Sequence, residues 1–147
     1  MPEDATELDR YESPPLDEII EGMLLYSTNL TAEALGLAGS RARGERTDSL
    51  AHSAMAMTRW LRAEHGAVAR FVDHSGLGDD SRISAGEMVR YLVELGTDSP
   101  LRLLMKRIVL TDEQGDALDP QPALVTAKTG TLNFVSGLAG YSRTFGG

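Results

Sequence analysis

The spacing of hydrophobic residues changes once along this chain, and that change limits the fold more than any other feature. Between Leu16 and Ile108 apolar residues recur mostly three and four apart, the repeat of one-sided helices. From Leu124 to Tyr141 small and branched residues alternate with polar ones, the repeat of strands. An α+β chain is therefore expected, with four or five helices and then a β-hairpin. No internal repeat is present.

Leu16, Ile19, Ile20, Met23 and Leu24 make the first helical stripe, which breaks at the polar turn Tyr26-Ser27-Thr28-Asn29. A second short helix is expected over Thr31 to Leu37, stopping near Gly39, followed by a basic loop, Ser40 to Arg46. Thr47 is the expected cap of a helix carrying Leu50, Met57, Trp60 and Leu61 and closed by Gly66. Val68 to Val72 is β-prone and leads into a tight turn, Asp73-His74-Ser75-Gly76-Leu77-Gly78. Ser84 and Glu87 form a capping-box pair ahead of Met88, Tyr91, Leu92 and Leu95, with Gly96 as the stop. Ser99-Pro100 opens another helix, with Leu101, Leu104, Met105 and Ile108 inward. Thr111 to Pro122 reads as loop. Two strands, Leu124 to Thr131 and Val135 to Tyr141, then turn about Leu132-Asn133. Residues 1–15, rich in acids and without periodicity, read as a flexible lead-in to a domain spanning 16–147.

Several function classes are excluded early. Fourteen Lys and Arg face 22 Asp and Glu, a net charge of -8 that repels a phosphate backbone, so no nucleic-acid partner is expected. No apolar run reaches the ~18 residues of a membrane span, and the acidic start Met1-Pro2-Glu3-Asp4 has no apolar core behind it, so no signal peptide is expected in this chain. Cysteine is absent, which removes disulfides and thiolate chemistry. His52, His65 and His74 lack metal-binding spacing, and Asp112 to Asp119 lacks the pattern and closing Glu of a calcium loop. Neither a metal nor a cofactor is expected.

Two short segments offer chemistry. Lys128-Thr129-Gly130-Thr131 combines an ammonium, two hydroxyls and a glycine that lets a ligand approach the backbone, a compact anion site. The plainer reading is a solvated strand-end lysine beside a turn glycine. Ser27-Thr28-Asn29 offers a hydroxyl that can relay a proton and an amide that can hold a substrate amide. A helix cap or turn accounts for it equally well, and Asn29-Leu30-Thr31 also fits a glycosylation sequon.

In this order the two segments resemble the S-x-N and K-T-G elements of penicillin-binding proteins and serine β-lactamases. The surroundings are similar to the D-alanyl-D-alanine carboxypeptidase/endopeptidase family, the low-molecular-mass class C penicillin-binding proteins. Leu16 to Leu37 looks like its helix-loop-helix around S-x-N. Val72-Asp73-His74-Ser75-Gly76-Leu77 with Arg82-Ile83-Ser84-Ala85 resembles V-D-G-S-G-L and R-x-S-A. Ala127 to Asn133 with Val135 to Tyr141 resembles A-K-T-G-T-L-N-x-V-S-x-L-A-G-Y.

That resemblance implies a transpeptidase-like α+β fold, helices packed on an antiparallel sheet, present here in part. It implies a serine-type D-Ala-D-Ala carboxypeptidase of peptidoglycan metabolism, periplasmic or extracytoplasmic, acting on stem peptides and acylated by β-lactams. Ser27 would relay a proton, Asn29 would hold the substrate amide, and Lys128 would supply positive potential. Thr129 and Thr131 would bond the substrate carboxylate beside Gly130, and the Thr131 N–H would form half of the oxyanion hole.

The departures from the family pattern are specific. No serine has a lysine three residues on, so the S-x-x-K nucleophile and base are missing. His74 stands where the family usually has glycine, and Ile108 to Pro122 lacks a G-V-D-G-T-like segment. The chain thus reads as an internal piece, inactive alone, with a non-catalytic D-Ala-D-Ala or partner-binding module as the alternative. Incomplete burial, low thermal stability and self-association through exposed strand edges are expected.

Overall fold

In the computed structural model, which describes residues 9–145, the first stripe forms α1 (Leu16–Tyr26), with Asp17 and Glu18 in the first turn, where the helix dipole favours negative charge. Part of the acidic lead-in, residues 1–8, lies outside the described residues; residues 9–15 belong to no helix or strand. Ser27 closes α1 in the left-handed conformation, φ 54° and ψ 46°, which costs a non-glycine residue on the order of 1 kcal/mol or more.

The second helix, α2 (Asn29–Ala42), starts earlier and ends later than the expected Thr31 to Leu37. Gly36 and Gly39 weaken it locally, yet its packing against α3 (Leu50–His65) carries the helix through them. Small side chains line the contact: Ser40, Ser53, Ala54 and Ala56 are all fully buried. The α3 cap is Ser49 rather than Thr47. Its hydroxyl accepts from the His52 N–H at 3.1 Å, while the Thr47 hydroxyl accepts from Arg41 Nε at 3.0 Å. Gly66, φ 59°, ends α3 as expected.

A two-residue ladder, β1 (Ala69–Arg70) against β2 (Arg82–Ile83), brackets the tight turn. Within that turn the Asp73 carboxylate accepts from the N–H groups of Gly76 and Gly78 and from the hydroxyls of Ser75 and Ser81. These bonds outweigh burial and hold its pKa below the usual carboxylate range.

Ser84 caps α4 (Ala85–Leu95), accepting from the Glu87 N–H at 3.2 Å. The reciprocal half of the capping box does not close. Glu87 instead accepts from the Val68 N–H at 2.8 Å and pairs with Arg90, fastening α4 to the segment after α3.

The helix opened by Ser99-Pro100 is shorter than expected. It is α5 (Pro100–Leu104), and Met105 already has ψ 148°. Lys106–Ile108, expected as the last helical turn, is a strand, β3. Its backbone pairs antiparallel with β4 (Ala123–Leu132), Lys106 opposite Ala127 and Ile108 opposite Val125, and that ladder overrides the helical spacing. Thr111 to Pro122 is loop apart from one bridge, Thr111 to Ala117. Asp112 organises it by accepting from the N–H groups of Gln114 and Asp116, each at 2.9 Å.

Both C-terminal strands exist and run slightly longer than expected. β4 pairs over its whole length with β5 (Val135–Thr144) through a two-residue turn, Asn133-Phe134. Phe134 takes the positive φ, 64°. The sheet order is β3-β4-β5, all antiparallel, so the architecture is the expected α+β mix. The Tyr141 hydroxyl donates to the Leu92 carbonyl at 3.0 Å and ties the sheet to α4.

The apolar core is small. Among the described residues Ala54, Ala56, Leu61, Ala67, Leu92 and Ala127 are its buried members, whereas Leu30, Val93, Leu103 and Phe134 are largely in solvent.

Candidate functional site

Two chain segments far apart in sequence meet at the end of α1. The left-handed Ser27 turns the chain so that its hydroxyl leaves the helix end. From β4 the Lys128 ammonium donates to Ser27 Oγ and also to the Thr129 carbonyl. Lys128 is half-buried. Burial first, and the charge of Lys106 second, hold its pKa below the ordinary lysine value of 10.5. Lys106 is the β3 residue opposite Ala127, so the register of the sheet sets the chain's only two lysines one position apart across the ladder, on opposite faces but within range of each other's charge.

An ammonium has three protons and no lone pair, so in this contact Ser27 Oγ must accept. Its own proton is left free to point elsewhere.

The other expected site residues flank this contact without bonding to it. Asn29 is the first residue of α2 and is exposed, as are Thr129, Gly130 and Thr131. Strand alternation puts Lys128 and Gly130 on one face and Thr129 and Thr131 on the other. A Cβ built on Gly130 would meet nothing within 4 Å, so internal crowding does not demand glycine there. Beyond Ala127 the β3-facing edge of β4 is unpaired among the described residues, whereas its other edge is fully occupied by β5.

One cluster was not legible as a unit. His74 Nε2 lies 2.8 Å from Ser53 Oγ, which also meets Ser40 Oγ at 2.7 Å and donates to the Gly36 carbonyl at 3.3 Å. Glu33 accepts from the N–H groups of His74 and Ser75. The His74 ring lies directly over Gly36, and its Nδ1 is buried without a partner among the described residues. Burial lowers the His74 pKa, against the opposing pull of Glu33 and Asp73. The one sequence sign was a histidine where the resembled family has glycine. Since Ser53 is completely buried, the cluster is structural, locking the Asp73 turn onto α2 and α3.

His52 pairs with Asp48 and His65 with Glu94, and no grouping able to hold a metal occurs among the described residues.

A family model, D-Ala-D-Ala carboxypeptidase 3 (S13), matches residues 1–147. The chain belongs to that family. Its chemistry is thus of the D-Ala-D-Ala carboxypeptidase type, in keeping with the order of Ser27-Thr28-Asn29 and Lys128-Thr129-Gly130. No curated protein and no solved structure matches the chain. Among its described residues, no helix of this S13 family member is long and apolar enough to cross a membrane.

Proposed function

We propose that the chain forms one wall of a serine-type D-Ala-D-Ala carboxypeptidase site whose attacking serine lies outside these 147 residues. The observation that carries this reading is the hydrogen bond from Lys128 to Ser27 Oγ. An oriented ammonium fixes the hydroxyl as acceptor and leaves its proton available for transfer, which is what a proton relay to a leaving amine requires.

In this reading Asn29 holds the substrate amide, and Lys128 supplies positive potential for the terminal carboxylate. Thr129 and Thr131 carry their side chains on the other strand face, so what this pair contributes is the Thr131 N–H, one oxyanion donor. The open β4 edge beyond Ala127 supplies unspent backbone groups for a peptide lying along it. Gly130, free of internal crowding, keeps that approach clear. One oxyanion donor contributes ~2.7–4 kcal/mol only when an attacking atom is in place. No serine here has a lysine three residues on, so acylation by the chain alone is not expected.

The test is incubation of the purified chain with fluorescent penicillin. No label should survive denaturation, and a denaturation-resistant band would refute an external nucleophile. A second reading, a non-catalytic binder of D-Ala-D-Ala peptides, draws on the same absence of S-x-x-K beside an oriented lysine. Titration with an acyl-D-Ala-D-Ala peptide should shift the amide signals of Lys128 to Thr131. An unshifted spectrum would remove this second reading.

A further inference from the structure

A second positively charged site lies away from Ser27. Between the α4–α5 connection and the β4–β5 ladder is a cavity of about 250 Å³, lined by Thr97, Asp98, Arg102, Thr126, Ser142 and Arg143 together with Leu124 and Tyr141. Arg102 Nε is buried and has no hydrogen-bond partner among the described residues. Neither guanidinium, of Arg102 or of Arg143, makes an ion pair or hydrogen bond among the described residues, although 22 acids are present in the chain. A buried N–H without an acceptor destabilises a fold, and such groups are normally satisfied by protein, water or ligand.

We propose that this cavity binds a compact oxyanion of low charge, a carboxylate or a phosphate, between Arg102 and Arg143. Guanidinium forks match both ligands through paired N–H donors, and the hydroxyls of Thr97 and Thr126 add neutral donors around them. Asp98 sets the limit on charge. With two arginines and one aspartate the lining carries a formal charge of +1, which suits a small anion and disfavours a polyphosphate.

The site is separate from the Lys128 contact. Thr126 lies on the same strand face two residues before Lys128, about 7 Å along β4, but the Lys128 ammonium is turned to Ser27 and is absent from the cavity lining.

The experiment follows the arginine Nε–Hε signals of the ¹⁵N-labelled chain during titration with sodium phosphate or sodium acetate against sodium chloride at matched ionic strength. A saturable shift of the Arg102 signal is expected with at least one of the two. Saturation by acetate alone identifies a carboxylate site, and by phosphate alone a tetrahedral one. R143Q should weaken binding by about tenfold or more, the loss of one charge-assisted contact. D98N should tighten it, and K128A should leave it unchanged. Should R102Q fail to fold, R143Q and D98N carry the test. A shift that is linear or reproduced by chloride overturns the proposal. So does an affinity unmoved by R143Q and D98N, or a shift abolished by K128A.

Discussion

Gly36→Ala should destabilise the chain, and the amount is set by the His74 ring. A Cβ at position 36 would sit 2.1 Å from His74 Cγ, 2.2 Å from Nδ1 and 2.4 Å from Cδ2. Carbon atoms in contact rest about 3.5–4.0 Å apart, so the ring must withdraw by roughly 1.5 Å. That movement breaks the 2.8 Å contact between His74 Nε2 and Ser53 Oγ. Overpacking costs about 1–3 kcal/mol, and the lost buried hydrogen bond about 1 kcal/mol. Replacing glycine inside a helix returns about 1 kcal/mol, leaving a net loss of ~1–3 kcal/mol. In a His74→Ala background the clash is gone, and Gly36→Ala should stabilise α2 by up to ~1 kcal/mol. Urea denaturation of the four proteins in this double-mutant cycle gives the coupling, expected at ~2–4 kcal/mol. If Gly36→Ala is neutral or stabilising with His74 present, the ring does not rest on Gly36 and the reasoning fails.

Three further outcomes are expected. Burial holds the His74 pKa below its ordinary 6.5, so between the two values the unfolded chain binds more protons. Stability should therefore be complete above about pH 6.5 and fall as pH drops through that window; urea midpoints at about pH 7.5 and 5 should show a slope that His74→Ala flattens. Lys106→Ala removes the like charge beside Lys128 and should raise the Lys128 pKa part of the way to 10.5, burial remaining; NMR titration of the lysine side chain measures it. With a core of mostly alanine and an uncharged run from Val135 to Ser142 on the open edge of β5, thermal unfolding should be early and concentration-dependent. A sharp, concentration-independent monomeric melt at high temperature would contradict that.

Where the sequence was legible, a local signal and the final packing agreed. The stripe from Leu16, the caps at Ser84 and Ser99, the stop at Gly66 and the alternation on either side of Asn133 all appear in the structure. It misled where packing overrides local preference. Ile108 completes a helical stripe with Leu101 and Leu104 but lies in β3, because a ladder to Val125 is a long-range fact with no local signature. The C-terminal extent of α2 was hidden for the same reason, since Gly39 reads as a stop until α3 packs against that helix. At the site, Ser27 and Lys128 were paired through family pattern and meet in the structure. The lowered Lys128 pKa was hidden because it depends on the register that sets Lys106 beside it.

Ser27 and Lys128 are separated by 101 positions, one at the end of the first helix and the other in the final hairpin. Closing so long a loop is entropically slow, and few contacts reward it before the intervening helices and strands have docked. The Ser27–Lys128 bond is therefore expected to form at the last stage of assembly. Mild denaturant that merely loosens the docking of α1 should erase it while the helical signal persists, making this one bond a reporter on the integrity of the whole chain.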